Sequence, residues 1–193
     1  APGSPAARRF LDYTSASLIT KGLADWTYGR IEVRAKLPHG KGVWPAIWMV
    51  GRNVDQVSWP RCGEIDIMEF VGHTPDKVYA TVHFSKDGQH AKSGGELKVD
   101  RPFDDFHTYA VDWFPDHMDF YFDQQKYHTF KLDQAQDKDG NPFAKPQYLL
   151  LNLALGGSWG GPIDDQVLPQ KYLIGYVRVY GFQKPPASQP RKD

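Results

Sequence analysis

From Arg30 to Leu37 apolar and charged side chains alternate residue by residue. Ile31, Val33, Ala35 and Leu37 fall on one face, and Arg30, Glu32, Arg34 and Lys36 on the other. A period of two is the mark of a strand with one face buried and one wet, and no helix can gather that set on a single side. Pro38-His39-Gly40-Lys41-Gly42 then turns the chain. Further short runs read as strands over 15–20, 43–50, 63–70, 78–84, 108–113, 118–122, 147–154 and 172–182, separated by Gly, Pro, Asn and Asp. No segment reads as a convincing amphipathic helix. The pattern predicts an all-β sandwich of two packed antiparallel sheets.

The length, 193 residues, suits one such core. The connections 53–62, 85–96 and 156–169 read as long loops, where binding residues commonly sit. Residues 1–12 read as an N-terminal segment, 13–183 as the sandwich, and 184–193, with three prolines and nothing to bury, as a tail or linker. Lys plus Arg and Asp plus Glu are both 23, so no net field attracts nucleic acid or an anionic membrane, and a neutral partner fits better. Aromatic residues make up 14% of the chain, enough for some rings to line a wet surface. Cys62 is the only cysteine, which rules out an internal disulfide and leaves little for a Cys-rich zinc site; it reads as a buried spectator. The first residues lack the basic and apolar regions of a signal peptide, and no apolar run approaches bilayer length.

The segment Gly63-Glu64-Ile65-Asp66-Ile67-Met68-Glu69-Phe70 breaks the pattern, because an apolar strand carries three carboxylates. Strict alternation puts Glu64, Asp66 and Met68 on one face and leaves Glu69 with Ile65 and Ile67 in the core. One extra residue near Ile67 or Met68, a β-bulge, returns Glu69 to the face of Glu64 and Asp66. Three like charges on one face raise the pKa of at least one of them. Glycoside hydrolysis needs such a set: a carboxylic acid to protonate the leaving oxygen and a carboxylate to attack the anomeric carbon or activate water. Retention of configuration requires the two carboxyl groups about 5–5.5 Å apart, so the side chains of Glu64 and Glu69 must lean together over Asp66. The same residues also suit an exposed sheet face paired with Arg30, Arg34 or Lys36, or a hard-cation site.

With these residues in place the chain resembles the family 16 glycoside hydrolases, and in particular the laminarinase-like endo-β-1,3-glucanases. Those enzymes carry Glu-x-Asp-x-x-Glu on a bulged strand, here Glu64, Asp66 and Glu69. The relatives acting on β-1,3-1,4-glucan and xyloglucan carry the unbulged Glu-x-Asp-x-Glu. Further matches follow in family order: Tyr28 to Lys36, Val43 to Met49 with its Trp-Pro-Ala-Ile-Trp-Met run, Phe106 to Trp113, Leu150 to Gly157 and Tyr176 to Tyr180. The resemblance implies a concanavalin A-like β-jelly-roll with an open substrate cleft, a β-1,3-glucan substrate, no cofactor, a monomer and a secreted protein. It implies Glu64 as nucleophile, Glu69 as acid/base, and Asp66 as a hydrogen-bonding partner of Glu64.

For the sugar, the resemblance implies platforms at Trp48, Trp59 and Trp159, with His83 beside the acid/base. A pyranose offers C–H groups to a ring face while polar edges fix its hydroxyls. Tyr79, Thr81 and His83 share a strand face opposite Val78, Ala80, Val82 and Phe84, which favours a functional His83. Asn152 is placed with sugar or backbone, Arg34 as a balance for the acids, and Trp44 and Trp113 in the core. Family members usually carry several dozen residues before the point matching Tyr13. Their calcium site draws on that region and on an acidic residue where this chain has Gly175, so no metal is expected. The alternatives are an agarase- or carrageenase-type hydrolase, for which a basic cleft is expected, a glucan-binding module, which typically lacks the acids, and a calcium-dependent lectin-like sandwich.

Overall fold

The computed structural model describes residues 12–182; residues 1–11 of the N-terminal segment and the whole tail, 184–193, lie outside the described residues. Among the described residues eleven strands form two antiparallel sheets. In chain order they are β1 (Ser17–Ile19), β2 (Gly29–Lys36), β3 (Val43–Gly51), β4 (Glu64–Glu69), β5 (Lys77–Lys86), β6 (Gln89–Lys98), β7 (His107–Trp113), β8 (His117–Phe122), β9 (Gln125–Lys131), β10 (Gln147–Leu155) and β11 (Leu173–Tyr180). One sheet runs β1-β10-β3-β4-β5-β6 and the other β11-β2-β7-β8-β9. The all-β sandwich expected from the alternation is the fold found.

The alternation in β2 becomes burial. Ile31, Val33 and Ala35 are fully buried, whereas Arg30 on the outer face pairs with Glu32 and Asp112 at 2.9 Å each. The core fills the space between the sheets with Trp113, Phe120 and Phe130 from one side and Ile47, Met49, Ile65 and Val82 from the other. Trp113 packs edge-on to Tyr28, as a core ring, and Cys62 is fully buried. Each sheet ends on an edge strand with apolar exposure: Leu18 and Ile19 on β1, Leu173 and Val177 on β11.

Two strands depart from the sequence reading. The segment 85–96, expected as a loop, forms the end of β5 and most of β6, joined by Asp87-Gly88 with φ of 52° and 77°. An Asp-Gly pair with both residues left-handed is the hairpin turn whose twist matches its strands. β6 is polar and carries Gly94 and Gly95, so it has no apolar rhythm to read. β9 is likewise absent from the sequence reading: much of it is exposed, with Phe130 its one fully buried side chain.

The irregularity in β4 falls at Ile67. Asp66 pairs with Trp48 of β3 and Met68 with Ile47, so one residue of β4 has no counterpart. On the other flank Asp66 pairs with Thr81 and Glu69 with Tyr79, again with one residue in excess. Ile67 and Met68 both turn into the core at 0% exposure, and Glu69 returns to the outer face. Ile67→Ala is expected to destabilise the protein by about 2–5 kcal/mol, as for a buried Ile truncated in a close-packed core. Urea unfolding monitored by tryptophan fluorescence, with far-UV circular dichroism to verify the native fold, measures it.

Candidate active site

The outer face of the six-stranded sheet gathers the acids by register. Glu64 pairs across to His83 of β5 and His83 to Lys92 of β6; Asp66 pairs to Thr81; Glu69 pairs to Tyr79. On the opposite flank lie Trp44, Ala46 and Trp48 of β3 and Asn152 and Ala154 of β10. With the three acids these residues line an open depression of about 260 Å³. A larger hollow, about 420 Å³, lies between the edges β1 and β11, but Leu18, Leu151, Leu153 and Ile174 give it a chiefly apolar wall and it holds none of these acids.

Each acid has different company. Glu69 accepts a hydrogen bond from Trp44 Nε1 at 3.1 Å. Asp66 is 4% exposed, and its Oδ2 is buried with no hydrogen-bond partner, although His83 Nε2 stands 3.3 Å away. Glu64 Oε1 lies 3.9 Å from the same imidazole nitrogen. One ligand atom each of Asp66, Glu64 and His83 lies within 4.8 Å of the others. Asp66 is more deeply buried than Glu64, and the charge of Glu64 raises its pKa. Arg30 and Arg34 are in the other sheet, where Arg34 lies over the Phe106 ring at 4.5 Å, so neither balances the acids. A salt-bridged sheet face is thereby replaced by carboxyl groups held among rings and one imidazole.

That environment raises all three acids. Burial is the main cause for Glu69, reinforced by the charge of Asp66 and partly offset by the Trp44 hydrogen bond, and its pKa is pushed up to about 8. Burial also raises Asp66 well above the usual carboxylate range, with the charge of Glu64 adding to it. Glu64 is raised by burial and by the charge of Glu69, against the pull of His83 and a hydrogen bond from Trp59. The imidazole of His83 is lowered, chiefly by burial. The site therefore favours protonated acids, and Glu69 at neutral pH is a carboxylic acid lining the open depression.

The aromatic residues fall into two groups. Trp159, on the helical turn α1 (Gly157–Gly160), meets Trp44 edge-on at 5.5 Å and Tyr79 at 5.0 Å, beyond Glu69. Trp59, 47% exposed on the loop before β4, lies 4.6 Å from the His90 ring and 5.9 Å from that of His83, on the Glu64 side. Between them Trp48 donates from Nε1 to Asn152 Oδ1 at 2.7 Å, which fixes both side chains. Trp48, Trp59, His83, Asn152 and Trp159 thus all stand along the face that holds the acids. Trp44, expected in the core, instead lines the depression: the bulge brings Glu69 to its indole nitrogen, and a fully buried indole would leave that N–H unsatisfied. His90 escapes the sequence reading together with β6; the Asp87-Gly88 turn is the available signal, since a hairpin there places His90 beside His83.

A two-sheet sandwich with clustered, proton-holding carboxyls and tryptophans along one open face is the architecture of a carbohydrate-active domain. Residues 8–174 match the family model described as glycosyl hydrolases family 16, and the chain belongs to that family. It is 43% identical over 180 residues to a beta-glucanase of Rhodothermus marinus, covering 88% of this chain and 63% of the relative. It is 42% identical over 183 residues to a glucan endo-1,3-beta-glucosidase of Cryptopygus antarcticus, covering 88% of this chain and 67% of that one. The solved laminarinase from Rhodothermus marinus superposes with a TM-score of 0.82 at 39% identity, over 92% of this chain and 76% of that one. The chain thus spans less than two thirds of the length of the first of these relatives.

The titration of Glu69 can be measured directly by carbon NMR of labelled glutamate carboxyls. Its midpoint is expected near 8, and Trp44→Phe, which removes a hydrogen bond favouring the ionised form, moves it higher. The stability consequence has a definite sign. A folded pKa of about 8 against an ordinary value of 4.5 means that the native state binds the proton more tightly, so stability is lost as pH rises through that window. Glu69→Gln, neutral throughout, is expected to gain melting temperature relative to the wild type at pH 9 and not at pH 4.

Proposed function

We propose that the protein is an endo-acting, retaining glycoside hydrolase that cleaves β-1,3-glucan of the laminarin type, with mixed-linkage β-1,3-1,4-glucan within its range. The observation that carries this reading is the electrostatic difference within one motif. The pKa of Glu69 is pushed up to about 8 by burial, whereas Glu64, also raised by burial, faces an imidazole and an indole N–H that pull it back toward its ionised form. Two carboxyl groups with divergent environments are the requirement for acid and nucleophile in one site. A binding module has no use for acids so costly to bury.

In the first step Glu69 gives its proton to the glycosidic oxygen while a carboxylate oxygen of Glu64 forms a bond to the anomeric carbon and the bond to the leaving sugar breaks. Glu69, now ionised, takes a proton from water, whose oxygen displaces Glu64 from the same carbon. Two inversions return the β configuration. Asp66, whose protonated form burial and the charge of Glu64 favour, stands with His83 beside the nucleophile. The depression is open, so a long polymer can lie across it, with Trp59 and Trp159 on opposite sides of the acids as sugar platforms. The names of the relatives support a glucan, and the absence of a group of cations among the residues lining the depression favours a neutral polymer over a sulfated one. A polymer substrate of this size implies work outside the cell; no helix among the described residues is long and apolar enough to cross a membrane.

Glu64→Gln and Glu69→Gln are each expected to lower kcat/KM on laminarin by at least about 10²–10⁴-fold with the melting curve retained. Wild-type activity should fall above about pH 8 as Glu69 loses its proton. Near wild-type turnover in either variant, or an α anomer as the first product in proton NMR, overturns the scheme.

A further inference from the structure

The carboxylates are not the only chemistry concentrated at this face. Asp66, Glu64 and His83 converge so that one ligand atom of each lies within 4.8 Å of the others. A four-coordinate zinc ion with bonds of about 2.0–2.1 Å holds its ligand atoms about 3.3–3.4 Å apart. The Asp66–His83 separation is 3.3 Å, already tetrahedral spacing, and the His83–Glu64 separation is 3.9 Å, somewhat longer. Asp66 Oδ2 adds an independent pointer: it is buried, aimed into this cluster, and has no hydrogen-bond partner. An orphaned buried oxygen is a group for which a ligand would be the partner.

The surroundings complete the arrangement. His83 Nδ1 is 2.9 Å from His90 Nε2, and the two rings stack at 5.1 Å with Trp59 against them. When Nδ1 carries the hydrogen and donates it to His90, the lone pair of His83 Nε2 points at the acids. A metal-ligating imidazole characteristically donates its other ring N–H to such an outer partner, which fixes both tautomer and orientation. One imidazole and two carboxylates, with the fourth position open to water, is a donor set suited to borderline ions such as Zn²⁺ and not to Mg²⁺, which favours six oxygens.

We propose that Glu64, Asp66 and His83, oriented by His90, form a reversible inhibitory site for a transition-metal dication of the Zn²⁺ type. Binding places the positive ion on the nucleophile and blocks sugar from the same face. The metal is an inhibitor and takes no part in the reaction. The inhibitory consequence rests on the hydrolase reading above, whereas the binding itself does not.

The test is titration of the untagged protein with ZnCl₂ in a non-chelating buffer by isothermal calorimetry, alongside laminarin hydrolysis at increasing Zn²⁺. One site per chain is expected, removed by His83→Gln and weakened about 10- to 100-fold by His90→Ala, the usual effect of deleting an outer partner. Glu69→Gln, which alters a group already protonated at neutral pH, should keep its zinc affinity. Hydrolysis should be inhibited competitively with laminarin and restored by EDTA, and Mg²⁺ should not substitute. Absence of zinc binding, or equal affinity in a folded His83→Gln variant, overturns the proposal while leaving hydrolysis intact as a reading. Zinc binding with this variant pattern in a protein that cleaves no glucan upholds the site and removes the hydrolase reading instead.

Discussion

Three carboxyl groups on one six-residue strand, backed by a closed apolar core, set the terms for everything around them. Burial and mutual repulsion both oppose ionisation, and no arginine or lysine of the neighbouring strands β3 and β5 meets them. The chain lowers this cost in two ways. It lets the acids hold protons, and it surrounds them with donors that respond to charge: the indole N–H groups of Trp44 and Trp59 and the imidazole of His83. A salt bridge to any of these acids would have erased the difference between Glu64 and Glu69 on which acid and nucleophile roles depend.

The bulge at Ile67 is the backbone counterpart of that arrangement. A regular strand would bury Glu69 against Ile65 and put Met68 in the cleft. By adding a residue opposite both β3 and β5, the strand instead sends Ile67 and Met68 together into the core and keeps all three acids outside. The core gains two large apolar side chains where it would have received a carboxylate. Stability and chemistry here have the same cause, since the residues that make the bulge energetically acceptable are the ones that free Glu69.

Much of the arrangement around the acids is legible because strands write their burial into the sequence. β2 and β5 show it plainly, and the same alternation sets His83 opposite Val82 and Phe84, on the face that carries the acids. Trp44 misleads because a tryptophan in an apolar run reads as core, and only the returned carboxylate of Glu69 supplies the polar partner that keeps its edge at the surface. β6 is hidden for the opposite reason: a polar edge strand with paired glycines has almost no apolar period, and His90 is hidden with it.

The sequence by itself determined the sandwich, the conflict within β4 and the need for an extra residue there, because period-two burial and like-charge repulsion are local properties of the chain. Tertiary structure decided which groups meet those acids: Trp44 and not Arg34, the His83–His90 pair, and the imidazole of His83 beside both Asp66 and Glu64. Those outcomes depend on the strand order β10-β3-β4-β5-β6 and on register across it, which brings together residues far apart in the chain. Periodicity says which way a side chain faces. Only the pairing of strands says what it faces.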